Sequence, residues 1–191
     1  MRFLNDVCAA GAGKLMVSAT DKNLVYLVDL NDKSATQVKF DKAPKGPNGL
    51  AFITADKDAY LLVAEWGTDN QPNGSIRAYR LEESLLVAED QEKPKDLQMK
   101  DGYMDGLAVI MKNGEPQSFL YSDWVGFRPG GKLIHCNTET DDPKNSLTEL
   151  AIPNGPVAGP ADFFYDPKTS TLVLPCMMDG RVLLMKLEDK E

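Results

Sequence analysis

The chain has 191 residues, 42% of them hydrophobic and 26% charged, which is enough apolar content to bury a core and too little polar bias for a disordered segment. A formal net charge of −8 excludes nucleic acid as a first partner, because binding a phosphate backbone depends on Lys and Arg displacing counterions. The opening run MRFLNDVCAA lacks a basic region leading into a long apolar stretch, so neither a signal peptide nor a membrane span is expected in these residues; the compartment stays open, cytoplasmic or periplasmic, because any leader would lie upstream.

Taken in chain order, the same series of short apolar runs recurs four times. Each copy opens on a polar turn and a first strand: LNDVCAA from Leu4, GPNGLAFI from Gly46, MDGLAVIM from Met104 and GPADFFYD from Gly159. A second strand follows in each, read from KLMVSAT, YLLVAEW, SFLYSDW and TLVLPCM. NLVYLVDL, GSIRAYRL, GKLIHCN and GRVLLMKL supply a third. A weaker fourth strand is expected in the first three copies, in ATQVKF, in LLVAED or KDLQM, and in LTELAI. These runs are rich in Val, Leu, Ile, Tyr and Phe, they are punctuated by Gly, Asn, Asp and Pro, and none holds a helical period.

The polar starts Asn5, Asn48, Asp105 and Asp162 lie 43, 57 and 57 residues apart, close to the ~40–50 residues of a four-stranded propeller blade. The excess is taken up by the polar insertions TDNQPNG and TETDDPKN, as expected of loops. One blade cannot bury both faces of its sheet, so the repeat predicts an all-β propeller rather than a β-sandwich, with blades at about 1–45, 46–101, 102–156 and 157–191 of one domain.

The motifs FLNDV, GPNGL, DGLAV and YSDW, with the closing ADFFYDPKTSTLVLPCMMDGRVLLMKL, resemble the gluconolactonase, senescence-marker-protein and luciferin-regenerating-enzyme-like group, relatives of the strictosidine-synthase-like propellers. That resemblance implies a six-bladed ring, of which these would be the last four blades. A truncated chain, a true four-bladed ring and a ring completed by another chain all fit the sequence.

First strands of a propeller start at one mouth of the channel, so Asn5, Asn48 and Asp105 are expected to point oxygens towards it. Amide carbonyls and a carboxylate are hard donors suited to Ca2+ or Mg2+, with Zn2+ or Mn2+ as alternatives. Asn and Asp also open turns everywhere, so turn formers fit equally. In the resembled family these three positions are metal ligands; its fourth ligand, a Glu in the first blade, has no counterpart here. Asp162 is assigned to the same column as a substrate-binding residue, with a turn acid as its commoner role. Glu65, Trp66, Asp123 and Trp124, at the ends of second strands, are expected to shell the mouth and meet substrate, although Trp more often packs blades together.

Two functions follow. One is a cation-dependent hydrolase of sugar lactones or related esters, in which Asp105 takes a proton. The other is a non-catalytic propeller that binds a peptide, glycan or protein. Cys8, Cys136 and Cys176 have no zinc or redox spacing and read as inert thiols. His135, the only histidine, falls on a third strand away from the axis and has no Ser–His partner pattern. GAGK, from Gly11 to Lys14, reads as a hairpin turn rather than a phosphate loop.

Overall fold

A computed structural model describes residues 3–55, 57–90, 102–126, 129–137 and 147–187. The chain divides into two compact units, Met1–Met104 and Asp105–Glu191.

In the first unit, β1 (Leu4–Ala9), β2 (Lys14–Ala19), β3 (Leu24–Asp29) and β4 (Ser34–Gln37) form an antiparallel sheet in that order. The GAGK run is the β1–β2 hairpin: Lys14 N donates to Gly11 O at 2.8 Å and Ala10 N to Lys14 O at 2.8 Å. Gly13 has φ +76°, a backbone conformation in which an L side chain would be strained. Alternation along β2 and β3 puts Met16, Val25 and Leu27 in the core, with Leu15, Val17 and Val28 on the opposite face.

The second sheet is built from β5 (Lys39–Phe40), β6 (Pro47–Ala55), β7 (Asp58–Glu65), β8 (Ile76–Leu81) and β9 (Val87–Asp90), in the order β5-β9-β8-β7-β6. The expected strand ATQVKF is divided. Its first half is β4; Val38 N then donates to Val25 O at 2.9 Å, and the chain crosses so that β5 runs parallel to β9, Lys39 beside Val87 and Phe40 beside Ala88. Phe40 meets Tyr79 edge-on, ring centroids 4.7 Å apart. Of the two segments considered for the fourth strand of this sheet, LLVAED contains β9, while KDLQM lies outside the described residues. One core joins the two sheets, with Met16, Val25 and Leu27 packed against Leu50, Leu61, Val63 and Tyr79.

In the second unit, β10 (Met104–Lys112), β11 (Glu115–Asp123), β12 (Lys132–Asn137) and β13 (Leu147–Glu149) form a four-stranded sheet in sequence order. β14 (Phe164–Asp166), β15 (Thr171–Cys176) and β16 (Arg181–Lys186) form a three-stranded one. Their shared core sets Leu120, Leu133 and Phe163 against Leu172, Leu174, Cys176 and Met185. Burying each of these Leu side chains contributes about 1.5–3 kcal/mol. The insertion TETDDPKN lies outside the described residues.

Candidate functional site

Strand register fixes which residues occupy equivalent places in each sheet. Leu4 pairs with Ala19, Pro47 with Glu65 and Pro160 with Cys176. One step along, Thr20 N donates to Phe3 O at 3.2 Å, Trp66 N to Gly46 O at 2.7 Å and Met177 N to Gly159 O at 2.9 Å. Asn5, Asn48 and Ala161 therefore hold the same position. Asp6 N donates to Ser18 Oγ at 2.9 Å and Gly106 N to Ser122 Oγ at 2.8 Å, which assigns Asp105 to that position in the third sheet.

Asp162 is thereby moved out of the column expected from the sequence. It is exposed and matches Asp6, one residue later: Asp162 Oδ1 accepts Phe163 N at 2.9 Å as Asp6 Oδ1 accepts Val7 N at 2.6 Å. Such local bonds are the ordinary work of a turn acid. The shared Gly-Pro of Gly46-Pro47 and Gly159-Pro160 was the sequence signal for this register.

The three remaining column residues differ in surroundings. Asn48 is 2% exposed and its Oδ1 has no hydrogen-bond partner. An orphaned buried amide oxygen is rare in a folded protein, and an ordered water or a bound ion would satisfy it. Asn5 is exposed, and its Nδ2 donates to Thr20 Oγ1 at 3.1 Å; the Thr20 hydroxyl donates in turn to Pro47 O at 2.8 Å. Thr20, which sequence reasoning passed over, thus links the start of β1 to the residue before Asn48. Asp105 is 8% exposed. Among the described residues no group of three or more His, Cys, Asp or Glu could hold a metal ion.

Asp6 is a second residue missed. Its Oδ2 accepts Leu50 N at 2.6 Å, tying β1 to β6. In the second unit a hydroxyl makes the corresponding tie, with Ser122 Oγ donating to Ala161 O at 3.1 Å.

The residues expected to shell the mouth are largely engaged in the protein. Glu65 is fully buried; Oε1 accepts Lys45 N at 2.9 Å and stands 2.9 Å from Arg77 Nε, and Oε2 accepts Ser75 Oγ at 2.8 Å. Trp66 lies 5.1 Å from the ring of Tyr103, whose hydroxyl donates to Asn70 O at 2.6 Å. Trp124 is 9% exposed and packs on Gly159, where a Cβ would come within 2.8 Å of its Nε1. Both tryptophans therefore join neighbouring segments. Asp123 is half-buried, and its Oδ1 accepts Val125 N at 3.3 Å.

His135 sits on β12 between Leu120 and Thr148, on a third strand as expected. All three cysteines are free, with Cys136 and Cys176 buried and Cys8 half-buried. Burial, helped by the neighbouring Asp6 charge, pushes the Cys8 thiol up to about 12. Desolvation raises Cys176 as well. High thiol pKa values fit inert side chains.

No family model matches the chain, and no curated protein matches it. Solved structures do. A Bacteroides thetaiotaomicron protein of unknown function is 16% identical with a TM-score of 0.63, aligned over 97% of this chain and 41% of its own. Streptogramin B lyase is 12% identical with a TM-score of 0.50, over 98% and 55%. The β-propeller domain of Cps50 (Swd1) from Myceliophteria thermophila is 10% identical with a TM-score of 0.51, over 98% and 55%. At these identities the likeness is one of fold alone. The chain spans between 41% and 55% of these three chains. The chain is thus an all-β protein of propeller type, with four blade-like sheets among the described residues.

Proposed function

We propose that the chain carries a divalent-cation site at its blade starts, with Asn48, Asn5 and Asp105 as protein donors, and that this site serves hydrolysis of a small lactone or related ester. The observation that carries the proposal is the buried, unpartnered Oδ1 of Asn48. A bound Ca2+ or Mg2+ would supply Lewis-acid polarisation of the substrate carbonyl and a more acidic water.

The chain's own residues have three tasks in this reading. Asn48, whose place is set by β6 and β7, presents its amide oxygen from a buried position and costs little reorganisation on binding. Asn5 is held through Thr20 to the Pro47 carbonyl, so its orientation is coupled to the start of β6. Asp105 is the carboxylate that accepts the proton of the attacking water. The water oxygen bonds to the carbonyl carbon, the ring C–O bond breaks, and Asp105 returns the proton to the departing alkoxide, leaving a hydroxy acid.

A pH-stat assay over sugar lactones with added Ca2+ or Mg2+ tests this reading. Cation-dependent turnover that falls at least 100-fold in Asp105→Ala, the lower range for loss of a general base, is the expected result. Turnover unaffected by EDTA, or none with any lactone or simple ester, would overturn the hydrolase reading.

A further inference from the structure

The dipeptide Asn-Gly occurs four times, at Asn48-Gly49, Asn73-Gly74, Asn113-Gly114 and Asn154-Gly155. It carries an intrinsic reactivity, because glycine has no side chain to shield its backbone nitrogen from the amide carbon of the asparagine before it. The fold treats the four copies differently. Asn48 is 2% exposed and Gly49 is buried. The Asn73 side chain is held twice, Oδ1 accepting Thr68 N at 2.8 Å and Nδ2 donating to Thr68 Oγ1 at 3.3 Å, while Gly74 N donates to Gly102 O at 3.0 Å. Asn113 and Gly114 are exposed, but they form the two-residue turn between β10 and β11, at φ +55° and +88°, so the strands on either side clamp their torsions.

Asn154 lies in the connection from β13 to Val157, which is anchored at both ends. Leu150 N donates to Leu133 O at 2.9 Å, and Val157 O accepts Gly130 N at 3.0 Å and Gly131 N at 2.9 Å. Between these anchors Pro153, Asn154, Gly155 and Pro156 are all exposed. Among the described residues neither the Asn154 side chain nor the Gly155 N–H has a hydrogen-bond partner. A Cβ built on Gly155 would meet nothing within 4 Å, so there is open space beside its nitrogen. Of the four copies, this one alone combines a free amide, a free backbone nitrogen and a turn that no flanking strand clamps.

We propose that Asn154 is a site of spontaneous covalent modification, deamidation through a cyclic imide formed with Gly155. The Gly155 nitrogen gives its proton to solvent base and bonds to Asn154 Cγ. The Cγ–Nδ2 bond then breaks, and Nδ2 takes a proton from solvent and leaves as ammonia. Water opens the imide ring, at Cγ to give aspartate or at the main-chain carbonyl carbon to give isoaspartate. The net exchange is one amide for one carboxylate, with water consumed and no change of oxidation state, so each event adds one negative charge to a chain that carries −8. The isoaspartyl product also lengthens the main chain by one methylene. An exposed turn absorbs both changes, and Val157 keeps its place in the core of the second unit.

The test is peptide mapping by mass spectrometry of the folded protein held at pH 8, sampled over time, which reads all four sites in one experiment. Asn154 should convert at least ~10-fold faster than Asn48 and Asn73, whose reaction waits on local opening of the structure, and it should lead Asn113. In urea the four rates should draw together, because only the shared dipeptide then sets them. Asn154→Gln, which keeps the amide but moves it one methylene further from the backbone, should remove the first acidic species seen on ion exchange, with circular dichroism showing the same fold. Conversion at Asn154 no faster than at Asn48 or Asn73, or Asn113 leading in the folded protein, would overturn the proposal. So would a first acidic species that persists in Asn154→Gln, or rates spread in urea as widely as in the native state, which would put the cause in the sequence rather than in the fold.

Discussion

Replacing Asn48 by Leu separates a ligand-binding amide from a structural one. The side chain is 2% exposed and its Oδ1 is unpartnered, and leaving such a group buried costs about 1–3 kcal/mol. Leu keeps the branch at Cγ and removes the orphan, so in EDTA the variant should be more stable by about that amount. For a chain of this size the gain corresponds to about 2–12 °C in thermal midpoint. Added Ca2+ should act in the opposite sense: at 100 times the dissociation constant the wild type gains about 2.7 kcal/mol from mass action, and Asn48→Leu gains nothing. Differential scanning fluorimetry with and without Ca2+ reads both effects. A variant that melts lower than wild type in EDTA would refute the reasoning, because the amide would then be part of the packing rather than an acceptor kept for a ligand.

Glu65→Ala should destabilise the first unit by about 3–5 kcal/mol in urea unfolding, because it removes the buried carboxylate 2.9 Å from Arg77 Nε and the acceptor for Lys45 N and Ser75 Oγ; a loss under 1 kcal/mol would contradict the buried pair. Asp6→Ala, which deletes the acceptor of Leu50 N and Val7 N, should cost about 1.5–3 kcal/mol in the same measurement. The Cys8 thiol, pushed up to about 12 by burial, is protonated at pH 9 in the folded protein. Its alkylation by iodoacetamide should keep rising about tenfold per pH unit from pH 8 to 10, following the thiolate fraction. In urea the rate should level off near the ordinary thiol value, and a plateau near pH 9 in the native protein would show an exposed thiol.

The repeat was legible because strand propensity and turn residues are local properties. LNDVCAA, KLMVSAT and NLVYLVDL became β1, β2 and β3, and the other copies followed the same order. What escaped depended on register. Asp162 looks like Asn48 in the string GPADFF, yet pairing of Pro160 with Cys176 gives Ala161 that place. The crossing of β5 to β9 depends on a contact between residues 48 positions apart, Lys39 and Val87, which no local pattern announces. Glu65 lies at the end of a second strand, where a place at the mouth and contact with substrate were expected. Its burial became apparent only with Arg77 and Ser75 brought alongside by β8 and the turn before it. For the column itself, residue type was visible from the sequence, whereas the enclosure of Asn48 came from packing.

Titration calorimetry of Ca2+ into the EDTA-stripped protein tests the cation site most directly. One ion should bind per chain, and both Asn48→Leu and Asp105→Ala should abolish the heat while leaving the fold intact by circular dichroism. Absence of heat in the wild type, or full-affinity binding by either variant, would contradict a cation held at the blade starts.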